Sequence, residues 1–111
     1  MEHRLRAEVW IMAHVRRCIA EGIPVAIVRR GESERGTLIL KLNLLEGDVR
    51  VLSQARDIDG RLGWLAAFDG AAVKEADADA YIARAVKRDP DLWVVEIEDR
   101  EGRHPFEGRI L

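Results

Sequence analysis

The residues best suited to chemistry lie in DPDLWVVEIEDREGR, Asp89 to Arg103, where six carboxylates surround four consecutive apolar side chains. Glu96 and Glu98 stand two apart, so an extended backbone puts both on one side, with Cα atoms about 6.5 Å apart. Such a pair can hold a divalent cation through oxygen ligands. It can equally form cross-strand ion pairs with Lys41 or Arg50, or face water. The solvated face is the simpler account, because one side of an antiparallel strand is commonly polar. Glu96 and Glu98 are therefore weak metal candidates, and no catalytic residue is assigned.

GESERGT, Gly31 to Thr37, has the glycine spacing of a phosphate-binding loop. The lysine after the second glycine is missing, Glu32 and Glu34 would repel phosphate, and strand alternation follows where a helix is required. The loop is rejected as a nucleotide site. Arg29, Arg30 and Arg35 bracket it, and with Arg16 and Arg17 they are candidates to grip an anion or an RNA backbone. The bland alternative is a solvated loop tip.

His14 and Cys18 stand four apart, a spacing that can share a metal. The only other histidines are His3 and His104, and neither CxxC nor HExxH occurs. As a nucleophile Cys18 would need exposure and a base, with Arg16 and Arg17 lowering its pKa; a quiet thiol is the simpler reading. Ser33, Ser53 and Thr37 are the only serines and threonines, so a hydroxyl nucleophile is poorly supplied. Asp57 to Gly60, DIDG, lacks the later glycine and glutamate of a calcium loop and reads as a hairpin turn. No cofactor is implied.

The elements that must position these residues follow from periodicity. Leu5 to Glu21 reads as a helix, with Leu5, Val9, Met12, Val15 and Ile19 on one arc, stopped by Gly22 and Pro24. Four strands follow: PVAIVRR, TLILKLN, DVRVLSQA and RLGWLAAF, joined as successive hairpins, the last through Asp59-Gly60. Glu75 to Arg88 returns to helix, with Ala78, Tyr81, Ile82, Ala85 and Val86 as its stripe. Leu92 to Glu98 is a strand with Trp93, Val95 and Ile97 on one face, and a short segment, RHPF, follows. The expectation is one α+β domain over residues 1–111. It has two layers: an antiparallel four- to five-strand meander sheet and two helices, in the order α-β-β-β-β-α-β. Many metal-dependent nucleases share a similar order, but their Glu-x-Lys is absent from the meander, so only the topology is shared.

Alternation places Ile39, Leu52, Leu65 and Val94 together on the sheet's second side, among Lys41, Arg50, Glu96 and Glu98. Exposed, they would form an apolar interaction patch suited to a two-fold homodimer. Alternatively a helix covers that side, or the tail RHPFEGRIL does so through Phe106, Ile110 and Leu111.

With 111 residues, a net charge of −2 and one cysteine, the chain fits a soluble cytoplasmic protein without disulfides. It has no general basic footprint for nucleic acid and no apolar run long enough for a membrane span.

RLRAEVWIMAHVRRC, PVAIVRRG and ADAYIARAVKRDPDLWVVEIEDREGR resemble, over nearly the whole length, a family of small alphaproteobacterial proteins classed as a domain of unknown function, the one numbered 1491. The resemblance implies a bacterial cytosolic protein and brings no activity, cofactor or catalytic residue. The leading expectation is a non-catalytic interaction module with a protein partner or a second copy. An RNA- or anion-binding protein using the arginines comes next, then a metal-dependent enzyme using Glu96 and Glu98.

Overall fold

Alternating and helical periods sort the chain into ten segments in the computed structural model, which describes residues 5–111. Helix α1 spans Ala7–Ala20, followed by β1 (Val25–Arg29), β2 (Leu38–Asn43), β3 (Asp48–Arg56) and β4 (Leu62–Ala66). A 3-10 turn, Ala67–Gly70, leads to β5 (Val73–Lys74), α2 (Glu75–Arg88), β6 (Trp93–Glu98) and β7 (Arg109–Ile110). His3, one of the candidate ligands, lies outside the described residues.

The strands form one sheet in the order β1-β6-β2-β3-β4-β7, with β5 paired to β3. This corrects the expected meander. Strands β2-β3 and β3-β4 are antiparallel neighbours as expected, but β6 inserts between β1 and β2. It runs antiparallel to the first and parallel to the second. A second parallel pair joins β4 to β7. The sheet is therefore mixed and seven-stranded. The cause is legible in β6 itself: Trp93, Val94 and Val95 are apolar on both faces, which suits a central position covered on both sides. The segment between β1 and β2 is long enough to step over one strand, so those two need not pair.

The helices do not share a layer. Helix α1 packs with Leu38, Leu40, Leu42, Leu52, Trp64, Trp93, Val95 and Ile97. Helix α2 covers Ile39, Val49, Val51 and Val94 through Ala78, Ile82 and Ala85. The result is a helix-sheet-helix sandwich in place of the expected two layers. The stripe of α1 is also rotated from the expected arc. Ile11, His14, Val15 and Cys18 are buried, while Leu5, Val9 and Ile19 face solvent. Counting aliphatic residues alone misplaced the arc, because a histidine and a thiol supply part of the inward face. No helix among the described residues is long and apolar enough to cross a membrane.

Residues Arg30–Thr37 seal one end of the sheet. The Trp93 indole N–H donates to the Glu32 carbonyl at 2.8 Å, and Glu32 N–H donates to the Asp91 carbonyl at 3.0 Å. A Cβ at Gly31 or Gly36 would collide with the Asp91 carbonyl and the Trp93 ring, so glycine is required here for close approach. The carbonyls of Ser33 and Glu34 in turn accept the first amides of α1, Glu8 and Ala7, each at 2.9 Å. This satisfies the helix start without a side-chain cap.

Candidate functional site

The most concentrated polar arrangement lies between α2 and the sheet. Lys41 is the buried lysine of β2, its side chain 9% exposed. Its Nζ donates to Glu75 Oε2 and Asp79 Oδ1, both at 2.8 Å, with Glu96 Oε1 at 3.9 Å. Glu75 and Asp79 lie one turn apart at the start of α2, and the parallel register sets Glu96 beside Lys41. Asn43 Nδ2 donates to Glu96 Oε2 at 3.0 Å. Burial alone would push the ammonium pKa down, but the hydrogen bonds it donates to Asp79 and Glu75 and the charge of Glu96 raise it above the ordinary value. The amine thus stays protonated at neutral pH and has no lone pair for attack or proton abstraction. Its geometry fits a clamp between helix and sheet.

That clamp decides the role of the carboxylate pair. Glu96 faces Lys41 and Asn43, while Glu98 lies on the same side, beside Asn43, and is exposed. Arg50, offered as a cross-strand partner, pairs with Leu42 and so lies on the other side of the sheet. Among the described residues no group of three or more His, Cys, Asp or Glu side chains is placed to hold a metal.

The five arginines do not converge. Arg29 donates to the Pro90 carbonyl at 2.6 Å. Arg30 sits 5.7 Å over the Trp93 ring and 3.5 Å from Glu8. Arg35 is exposed. Arg17 pairs with Glu21 at 2.9 Å toward the far end of α1, beside an exposed Arg16. The loop between Gly31 and Thr37 does form an anion nest, but its own Glu32 fills it. That carboxylate accepts from the amides of Arg35 and Glu34, which hold its pKa below the ordinary range.

His14 and Cys18 face the α1 side of the core. His14 Nδ1 donates to the Trp10 carbonyl at 2.7 Å, and Nε2 lies 3.8 Å from Glu107 Oε1. Burial, assisted by the nearby Glu21 charge, pushes the Cys18 thiol pKa up, so the sulfur stays a thiol.

Three of the four expected patch residues are interior: Ile39 and Val94 under α2, 2% and 1% exposed, and Leu52 under α1, 5% exposed. Leu52 lies opposite Leu40, so the strand register puts it on the α1 side, which alternation within one strand does not fix. Leu65 alone reaches solvent, at 52%. Because α2 packs over β2 and β3, β4 is left bare on that side. There Leu65 is followed by Phe68, 37% exposed, whose ring lies 5.3 Å from that of Tyr81 on α2. Phe68 and Asp69 both have positive φ, 55° and 53°. Sequence reading missed this turn because alternation carried the strand through Phe68.

The tail docks elsewhere than expected. Phe106 is buried on the α1 side, and Ile110 and Leu111 lie exposed beside β4. Its start helps line an open cavity of about 420 Å³ with Arg17, Glu21, Ile23, Asp99, Arg103, His104 and Pro105. Both arginines there are neutralised, Arg17 by Glu21 and Arg103 by Asp99.

The chain is thus an α+β protein with a mixed sheet between two helices, its buried charges spent on holding elements together. A family model described as a protein of unknown function, DUF1491, matches residues 5–107. The chain belongs to that family. A crystal structure of a DUF1491 family protein from Caulobacter crescentus is similar, with a TM-score of 0.83 and 37% identity over 96% of this chain and 99% of that one. An NMR structure of a DUF1491 family protein from the same organism has a TM-score of 0.83, 35% identity and 99% coverage of both chains. The solution structure of protein Atu0922 from A. tumefaciens has a TM-score of 0.72 and 26% identity over 86% of each chain. No curated protein matches.

Proposed function

We propose that this protein is a non-catalytic interaction module that works by pairing with a second copy of itself. The observation that carries the reading is the exposure of Leu65 and Phe68, with the half-buried Tyr81 of α2 5.3 Å from the Phe68 ring. Exposed apolar and aromatic groups gathered at one place favour a contact surface. Two residues held in the left-handed region cost roughly 1–2 kcal/mol each, and here the turn they make presents the Phe68 ring outward. A second copy suits the surrounding charges. On α2, Asp77 and Arg84 flank Tyr81, each about one turn away, and neither is in an ion pair among the described residues. A two-fold axis near Tyr81 would set two α2 helices antiparallel and bring Asp77 of each copy to Arg84 of the other. A self-complementary patch of that kind is what an isologous dimer requires.

Sedimentation velocity over a concentration series tests the reading. The wild type should sediment as a dimer at high micromolar concentration, and Leu65→Glu should sediment as a monomer with an unchanged circular dichroism spectrum. A wild type that stays monomeric throughout contradicts it.

A further inference from the structure

Residues 104–111 form a strap that joins the sheet only through the two residues of β7. Phe106 is driven into the core between α1 and the sheet, 3% exposed, its ring stacked 5.1 Å from that of His14. Trp64 Nε1 donates to the Glu107 carbonyl at 3.1 Å, and Leu111 N–H donates to the Trp64 carbonyl at 2.9 Å. Arg109 pairs with Asp57 at 3.2 Å. The strap covers the outer edge of β4 with only two residues in strand pairing. Glycines with positive φ lie just before it and within it, at Gly102 and Gly108. Short pairing and a glycine joint at its start leave the segment dependent on the Phe106 socket and a few bonds for its docking.

At its base, His104 Nδ1 accepts the Phe106 N–H at 3.2 Å. An imidazole can accept there only while that nitrogen carries no proton. We infer that the strap is an acid-released cover: protonation of His104 withdraws the acceptor that turns the chain into the Phe106 socket, and residues 104–111 then leave the β4 edge.

The groups around His104 support that outcome. From α1 it faces His14, Arg17 and Glu21; from the loop after β6, Asp99 and Arg103; from the strap itself, Glu107. The strand β4 offers only the Trp64 ring, edge-on at 6.2 Å. The pairs Arg17–Glu21 and Asp99–Arg103 cancel, so both carboxylates lining the cavity beside His104 already have a guanidinium partner, and Glu107 Oε1 points to His14 Nε2 at 3.8 Å. Burial first, and then His14, push the His104 pKa below its ordinary value. The sign follows. A released strap takes up its proton near the ordinary value of about 6.5, while the docked strap resists it. Docking is therefore at full strength above that pH and weakens as pH falls below it.

Hydrogen exchange followed by NMR tests this on the whole chain. Protection factors of the Leu111 amide and the Trp64 indole N–H should fall by up to about tenfold from pH 7.5 to 5.5, the limit one proton sets over the unit below about 6.5, while β2 amides keep theirs. His104→Asn retains an acceptor at the same place without a titrating group and should hold its protection flat. Imidazole shifts in the wild type give a second readout, with His104 protonation and loss of strap protection sharing one midpoint. A flat wild-type profile, an equal fall in His104→Asn, or a midpoint that follows His14 instead would overturn the inference.

Discussion

Lys41 shows how little a charged cluster says about catalysis until its partners are known. Three carboxylates close on one ammonium, and the consequence is a clamp that ties α2 to β2. Lys41→Met keeps the volume and removes every bond of the clamp. The carboxylates left behind repel one another, although two of them are half-exposed and partly rehydrated. The expected loss is about 1–3 kcal/mol in urea unfolding, the scale of hydrogen bonds to charged groups. No loss would show that the clamp contributes nothing to stability. Cys18 gives a second check at this scale. Fully buried and held as a thiol, it should resist a maleimide in the native protein and react at once in denaturant. Rapid native labelling would mean that α1 opens readily.

At the scale of elements, sequence patterns located the pieces and missed part of their order. Alternation found β2, β3, β4 and β6, and the 3.6-residue period found both helices, because each pattern is imposed by the face that is buried. The apolar run of β6 marks a strand covered on both sides, but its place between β1 and β2 was not legible, since that depends on pairing between residues far apart in sequence. The inward face of α1 was misread for a different reason: His14 and Cys18 fill core positions that an aliphatic count leaves blank. Among site residues, the Glu96 face was readable from alternation, whereas Lys41's partners Glu75 and Asp79 come from α2 and needed the fold. The loop that steps over β6 has its own test. Gly31→Ala drives a methyl into the Asp91 carbonyl and the Trp93 ring. It should cost about 1–3 kcal/mol, the usual range for overpacking. An unchanged midpoint would show that the loop can back away from the sheet.

For the whole molecule, two helices on opposite faces leave β4 uncovered on the α2 side, and the exposed Leu65 and Phe68 are the apolar surface left to explain. The four-residue patch inferred from alternation failed because burial under α2 removed Ile39 and Val94 and the register removed Leu52. Of the four residues Leu65 alone stays exposed, on the strand α2 does not reach, and the proposed contact is built there. Pairing through α2 is tested most directly by a charge-reversal cycle measured by sedimentation. Asp77→Arg and Arg84→Asp should each dissociate the dimer, because each sets like charges face to face across the two-fold axis, and the double reversal should restore it. Loss of the dimer in both single variants with recovery in the double is the required pattern; singles that sediment like wild type, or a double that stays monomeric, would contradict it.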